Sequence, residues 1–371
     1  MADPHSGWDY RVYLGAVQSL NHGENPYVLL NVNQYSKEMN PFTYPPHTLL
    51  FFWCLQVFFI FQSIWIYYAF LFALMVASGY LILTLDQKPE YLFFITLLLT
   101  GFMGTFENFL TGNKDILFLF LFSGIFYLLI KEKFWQSSIV MGLMGSVSLI
   151  TIPFIAIYLV VKRAVIDRIT YILLSIGVVV VIFLITWWVS PSLLVSYFET
   201  LRGNSSPIYD KSGWSTLTPF LMFGVLLDQT TDGITIPLIL VSLGYVCLVI
   251  GASWYVIRKN QLNLLIIYSF TMFAIFMVLP RIKPYDFIIL TLPLYLLFKD
   301  YSYKIKTLVL IVISLLPLGV WYHFLIDHTQ PISYLTYLFH EYSQTFSLLL
   351  IFIIAFSLNY FKPVSSPTSH A

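Results

Sequence analysis

Among the ionisable residues of this 371-residue chain, Asp9 has the setting that best suits proton transfer. It opens the run GWDYRVYLGAVQSLNHGENPY, where Tyr13, Ala16, Val17 and Leu20 share one face of a helix over Tyr10–Asn21 that stops at Gly23. A carboxylate held by a short helix is what a general base requires. The same place suits an N-cap, the commonest duty of an aspartate at a helix start, and the two duties are compatible. Arg281 and Lys283, in LPRIKPYDF, are a pair of cations suited to phosphate, Arg through two parallel bonds and Lys as a point charge; Arg11 is a third. Snorkelling at a membrane interface explains the same cations without function. Tyr44-Pro45-Pro46 is a rigid corner, with proline suited to the first turn of the helix after it. Two further polar segments read ENFLTGNKD, over 107–115, and GNSSPIYDKSGW, over 203–214.

The elements that must position these residues follow from composition. Apolar residues make up 58% of the chain and charged residues 10%, and the mean hydropathy is +0.81. Soluble domains carry about 25% charge, so soluble and disordered classes are excluded, and 18 Gly and two Cys exclude the collagenous and disulfide-rich ones. The fold class is an all-α polytopic membrane protein. Apolar runs at 63–85, 90–106, 115–131, 135–150, 152–163, 168–190, 235–257, 261–279, 285–298, 305–324 and 345–362 predict about 11 spans. Pro153 separates the fourth run from the fifth. Shorter stretches at 47–61 and 215–228 predict juxtamembrane helices. The chain then divides into a first polar segment at 1–62, a transmembrane module at 63–190, a loop at 191–234 and a second module at 235–371. Cys54 and Cys247 read as small buried hydrophobes.

Alternating the spans places 12 of the 19 basic residues on one side, with Lys88, Lys131, Arg163, Arg258 and Lys306 among them. The positive-inside bias makes that side cytoplasmic. Segments 1–62, 107–114, 191–234, 280–284 and 325–344 then face outward, in a cell membrane crossed many times. The cores of the predicted spans hold no Asp, Glu, Lys, Arg or His, which argues against an ion-coupled transporter. No basic block suggests nucleic acid, and no His/acid cluster or Asp-x-Asp pair suggests a metal.

In this order and on one face, these motifs resemble the GT-C glycosyltransferases, and within them glycosyltransferase family 87, the polyprenyl-phosphate-mannose-dependent type. The likeness extends along most of the chain. An outward Asp followed by an amphipathic helix, G-x-N-P-Y and Y-P-P is similar to the family's first outer loop. Gly112-Asn113 resembles its G-Q/N-x-N turn, with Lys114-Asp115 departing from the usual continuation. Residues 138–163 are similar to its glycine-rich pair of short spans, with Ser148 where Lys is frequent. Asn204-Ser205 resembles its G-N-x-S loop, and Pro280–Asp286 its late outer loop. The resemblance implies transfer of a mannose-like hexose, with inversion, from a polyprenyl-phosphate donor to a lipid or glycan acceptor outside the cytoplasm. It assigns the base to Asp9 and requires no cofactor. Arg281, Lys283 and Arg11 are then the expected donor-phosphate ligands, and Tyr13, Tyr44, Asn113, Lys114, Asn204 and Tyr285 the expected substrate contacts. Because the family's first helix precedes this Asp, a twelfth helix is expected upstream of residue 1. A lipid or sugar transporter, or an inactive scaffold, is the alternative class; flux without a new glycosidic bond would distinguish it.

The topology carries the first prediction. A cysteine at Ser205 should react with an impermeant thiol reagent on intact cells, whereas one beside Lys131 should react only after permeabilisation. The opposite pattern would place the polar segments in the cytoplasm.

Overall fold

In a computed structural model, the structure describes residues 7–38, 40–58, 60, 63–86, 88–203, 236–259, 263–279, 282–315 and 343–361. Every regular element among them is helical. They are α1 (Trp8–Asn21), α2 (Leu29–Ser36), α3 (Pro46–Val57), α4 (Ile64–Thr84), α5 (Tyr91–Thr100), α6 (Gly104–Thr111), α7 (Asp115–Ile130) and α8 (Phe134–Val147). There follow α9 (Val165–Val189), α10 (Pro191–Gly203), α11 (Ile236–Lys259), α12 (Leu264–Val278), α13 (Thr291–Phe298), α14 (Tyr303–Leu315) and α15 (Ser343–Phe361). Three 3-10 segments cover Gly101–Met103, Leu149–Val160 and Pro284–Leu290.

Two compact units divide these helices. The first contains α1 to α4 and α6 to α10. In it, α1 buries Tyr10, Val12, Tyr13, Ala16 and Val17 and packs on α2 and α3. The corner at Tyr44 behaves as its sequence dictates: Pro45 is extended and Pro46 occupies the first turn of α3, where a missing N–H costs nothing. His47 ties α3 to two neighbours, with Nε2 2.8 Å from the Ser146 carbonyl and Nδ1 3.1 Å from the Thr186 hydroxyl. In the neutral ring Nε2–H donates to the Ser146 carbonyl, while the Thr186 hydroxyl spends its own proton on the Ile182 carbonyl at 2.7 Å. Burial favours that neutral form, pulling the His47 pKa down against the opposing bond to the Ser146 carbonyl. Trp187 and Trp188 are exposed at the end of the long apolar helix α9, the place where tryptophan is enriched in membrane-spanning helices. Helix α10 packs against α9 and α3, with Leu194 and Tyr197 buried and Asn25 Nδ2 donating to Ser196 Oγ at 2.9 Å.

The second unit contains α5 and α11 to α15. Helix α5 breaks at Phe102 and Met103, which adopt positive φ angles of 50° and 60°. Such angles are costly for residues with a Cβ and need outside support. Phe102 is buried against Phe287 at 4.9 Å, and its carbonyl accepts the Gln344 side-chain N–H at 2.8 Å. Tyr295 on α13 stacks edge-on to Phe94, and its hydroxyl accepts the Glu90 N–H at 3.0 Å.

The helices fall where the apolar runs predict them, yet several expectations need correction. Four described segments are long and apolar enough to cross a membrane: Ile64–Thr84, Tyr91–Thr111, Val165–Val189 and Leu240–Lys259. Five further apolar helices have 10–17 residues, so length and composition support several crossings but not a count of 11. Helical structure resumes after the break and runs to Thr111, so Glu107 lies in a helix, not a loop, and is buried within an apolar segment. The interruption after α8 is at extended Ser148, and Pro153 is accommodated inside a 3-10 helix. Residues 191–203, expected in a loop, form α10. Cys247 is exposed on α11, not buried. The predicted juxtamembrane helix at 215–228 lies outside the described residues.

One contact sets the position of α1. Gly7 precedes the helix with φ 75° and donates its N–H to the Leu110 carbonyl at 2.7 Å. Gly112 has φ 70°, and a Cβ there would stand 2.7 Å from Tyr10 Cβ. Gly112→Ala therefore meets both a left-handed backbone and a collision, and should cost about 1–3 kcal/mol for the backbone alone. Gly124, inside α7 with open space around it, is the control: Gly124→Ala should be neutral or stabilising by up to about 1 kcal/mol. Thermal unfolding of the two variants in detergent checks the contrast.

Candidate active site

Where α1 meets the turn between α6 and α7, side chains from four parts of the first unit converge. Asp9 is the second residue of α1, with Gly7 in the N-cap position; the expectation that Asp9 itself caps the helix is corrected. At this place a carboxylate still benefits from the partial positive charge of the helix N-terminus. Its Oδ2 accepts the Asn113 Nδ2–H at 2.8 Å, across 104 residues of sequence. Asp9 remains partly exposed, while Asn113 has no exposed surface.

Asn113 sits at the entrance to α7. Its Oδ1 accepts the backbone N–H of Asp115 at 3.1 Å, and its own N–H donates to the Asn108 carbonyl at 2.9 Å. The next two residues form a buried ion pair, Lys114 Nζ to Asp115 Oδ1 at 3.3 Å, with side chains 4% and 2% exposed. Lys114 Nζ also lies 4.1 Å from the centre of the Tyr44 ring and 4.5 Å from that of Phe118. Cations over ring faces are attracted by the ring quadrupole, most strongly where water is excluded. The second Asp115 oxygen is buried with no hydrogen-bond partner among the described residues.

Aromatic residues enclose the carboxylate. Tyr13 stacks on Phe52 at 4.4 Å and meets Tyr44 edge-on, with the two hydroxyls 3.4 Å apart. Tyr10 packs on Tyr67 of α4 at 5.2 Å. Tyr27 donates its hydroxyl to the Tyr44 carbonyl at 2.6 Å, which anchors the Tyr-Pro-Pro corner. Desolvation pushes the Tyr13 pKa well up, with Tyr44 and Asp9 adding to it. Tyr44 is also raised, chiefly by desolvation, with Lys114 opposing and Asp9 and Asp115 reinforcing the shift. Both phenols therefore stay protonated at neutral pH and act as hydrogen-bonding groups, not as bases.

The structure thus brings together Asp9, Arg11, Tyr13, Tyr44, Asn113 and Lys114, all in the first unit. Arg11 is already engaged: its Nε and Nη2 reach the same Glu38 oxygen at 2.6 and 2.5 Å. Lys283 and Tyr285 belong to the second unit, where Lys283 Nζ lies 5.5 Å from the Tyr285 ring and the Lys283 N–H donates to Asp286 at 2.6 Å. Arg281 and Asn204 lie outside the described residues. Sequence reasoning missed Glu38, Asp115, Tyr67 and Phe118. Asp115 stood in the quoted ENFLTGNKD motif, but its burial leaves no local signature. Among the described residues no group of three His, Cys, Asp or Glu side chains is placed to hold a metal ion.

An all-helical membrane protein with a partly exposed carboxylate in an aromatic surround is the class that these features define. Residues 42–280 match glycosyltransferase family 87, and the chain belongs to that family. It is a membrane glycosyltransferase. Asp9, Arg11 and Tyr13 precede the matched residues and Lys283 and Tyr285 follow them, so the family match by itself assigns none of these a role. No curated protein and no solved structure matches the chain.

The buried pair yields a stability prediction. Removing one partner of a buried ion pair strands the other charge and costs about 3–5 kcal/mol, whereas replacing both by apolar residues is close to neutral. Lys114→Met should therefore destabilise the protein strongly, and Lys114→Met/Asp115→Leu should restore most of the loss, as read from unfolding midpoints.

Proposed function

We propose that this glycosyltransferase moves a mannose-like hexose from a polyprenyl-phosphate donor to a lipid or glycan acceptor at the extracytoplasmic face, with inversion and with Asp9 as general base. The observation that carries the reading is a partly exposed carboxylate, hydrogen-bonded to Asn113 and bordered by phenols that stay neutral. The acceptor hydroxyl attacks the anomeric carbon as Asp9 takes its proton. The bond from that carbon to the phosphate oxygen breaks, and its electron pair leaves with polyprenyl phosphate. Proton acceptance works when the carboxylate lies within about 3 Å of the hydroxyl.

The departing phosphate needs positive charge. Arg281 and Lys283 remain the proposed donors on the strength of their sequence setting. Arg11 would have to share its guanidinium with Glu38. Tyr13 and Tyr44 supply ring surface and hydroxyls to the sugar, and helices rich in Phe and Leu suit the polyprenyl tail. The 12-of-19 distribution of basic residues supports the outward orientation.

The test is incubation of membranes with labelled polyprenyl-phosphate sugars, with lipid and glycan products separated. Asp9→Asn is nearly isosteric and should accumulate normally, yet transfer should fall by at least about 10²-fold. Undiminished turnover would remove Asp9 from the chemistry.

A further inference from the structure

We propose that Asn113 is a positioning residue that fixes the Asp9 carboxylate for proton transfer, and not a contact to the substrate. This inference rests on Asp9 being the base. Asn113 is fully buried, so its surface is spent on protein neighbours. Its amide has one usable orientation. Oδ1 holds the Asp115 N–H at 3.1 Å, and this leaves Nδ2 facing Asp9 Oδ2 at 2.8 Å. Flipping the amide would place its oxygen against the carboxylate and its nitrogen against a backbone donor, so two attractive bonds would become two repulsive ones.

The backbone around Asn113 is as constrained as its side chain. Its N–H is tied to the Asn108 carbonyl, and Gly112 before it lies against Tyr10, the residue that follows Asp9. Asn113 therefore reads the position of α1 and fixes Asp9 relative to α7. An aspartate on a half-exposed helix turn otherwise samples several rotamers. A carboxylate displaced by about 1 Å from the hydroxyl can cost about 10²-fold in rate. The bond to Asn113 selects one rotamer and fixes the plane of the carboxylate.

The bond of Asn113 to the Asp115 N–H separates from its bond to Asp9. Ser and Asp side chains also carry an acceptor oxygen, so Asn113→Ser and Asn113→Asp both keep one for the Asp115 N–H, the Asp variant in addition setting a second carboxylate against Asp9. Neither keeps the amide donor for Asp9. Each variant should lower kcat for sugar transfer by about 10- to 100-fold while donor and acceptor KM change less than about twofold. Combined with Asp9→Asn, the same substitution should cause no further loss, because Asn113 acts through the carboxylate that is already gone.

A rise in KM at unchanged kcat would make Asn113 a substrate contact and overturn the proposal. So would an unchanged kcat, an equal loss in the Asp9→Asn background, or failure of both variants to accumulate, which would assign Asn113 to folding alone. Failure of the underlying reading looks different: Asp9→Asn itself would then match wild type, or the wild-type protein would form no product.

Discussion

The candidate site depends on one short contact, the docking of the start of α1 on the turn between α6 and α7. Gly7 reaches the Leu110 carbonyl through its N–H, and Gly112 brings its backbone against Tyr10. Both glycines have positive φ angles; a Cβ at Gly112 would meet Tyr10 of α1, and one at Gly7 would meet the Ile64 side chain of α4. The turn can approach the helix this closely because Gly112 carries no Cβ. The approach is what places an amide from position 113 within hydrogen-bond distance of a carboxylate from position 9.

Around that contact the charges are arranged so that their burial is tolerable. Lys114 would be prohibitively placed if alone, but it has Asp115 as counter-ion and two ring faces beside it. Arg11 and Glu38 pair nearer the surface, where water screens them and the pair contributes less. Asp9 differs from both pairs. Its carboxylate accepts a hydrogen bond from a neutral amide, that of Asn113, at 2.8 Å and remains partly exposed. The phenols of Tyr13 and Tyr44 stay protonated chiefly because burial desolvates them, with Asp9 reinforcing the shift.

In the second unit the structure accepts strain at Phe102 and Met103 and compensates it locally. The buried Phe102 ring packs on Phe287, and Gln344 satisfies the carbonyl that the break frees. A membrane-embedded helix can be interrupted only where a neighbour re-satisfies its backbone, and Gln344 supplies that bond from 242 residues away.

The sequence by itself determined the properties that local physics enforces. A run of apolar residues must become a helix in lipid, so the membrane class and the helix positions followed from composition and length. The periodicity of α1 predicted that Tyr13, Ala16 and Val17 are buried, and the Pro-Pro corner predicted the start of α3. Family membership was legible as well, because its motifs are short and ordered along the chain. What only the tertiary structure decided is which polar residues meet. Asp9 and Asn113, Arg11 and Glu38, and Lys114 and the Tyr44 ring are separated along the chain, and no local pattern announces such pairs. The continuation of helix to Thr111, which moved Glu107 out of a loop, was equally hidden. The break before it needs positive φ angles at Phe102 and Met103, and the residues packed on Phe102, Phe287 and Gln344, are far away in sequence and meet it only once the chain has folded.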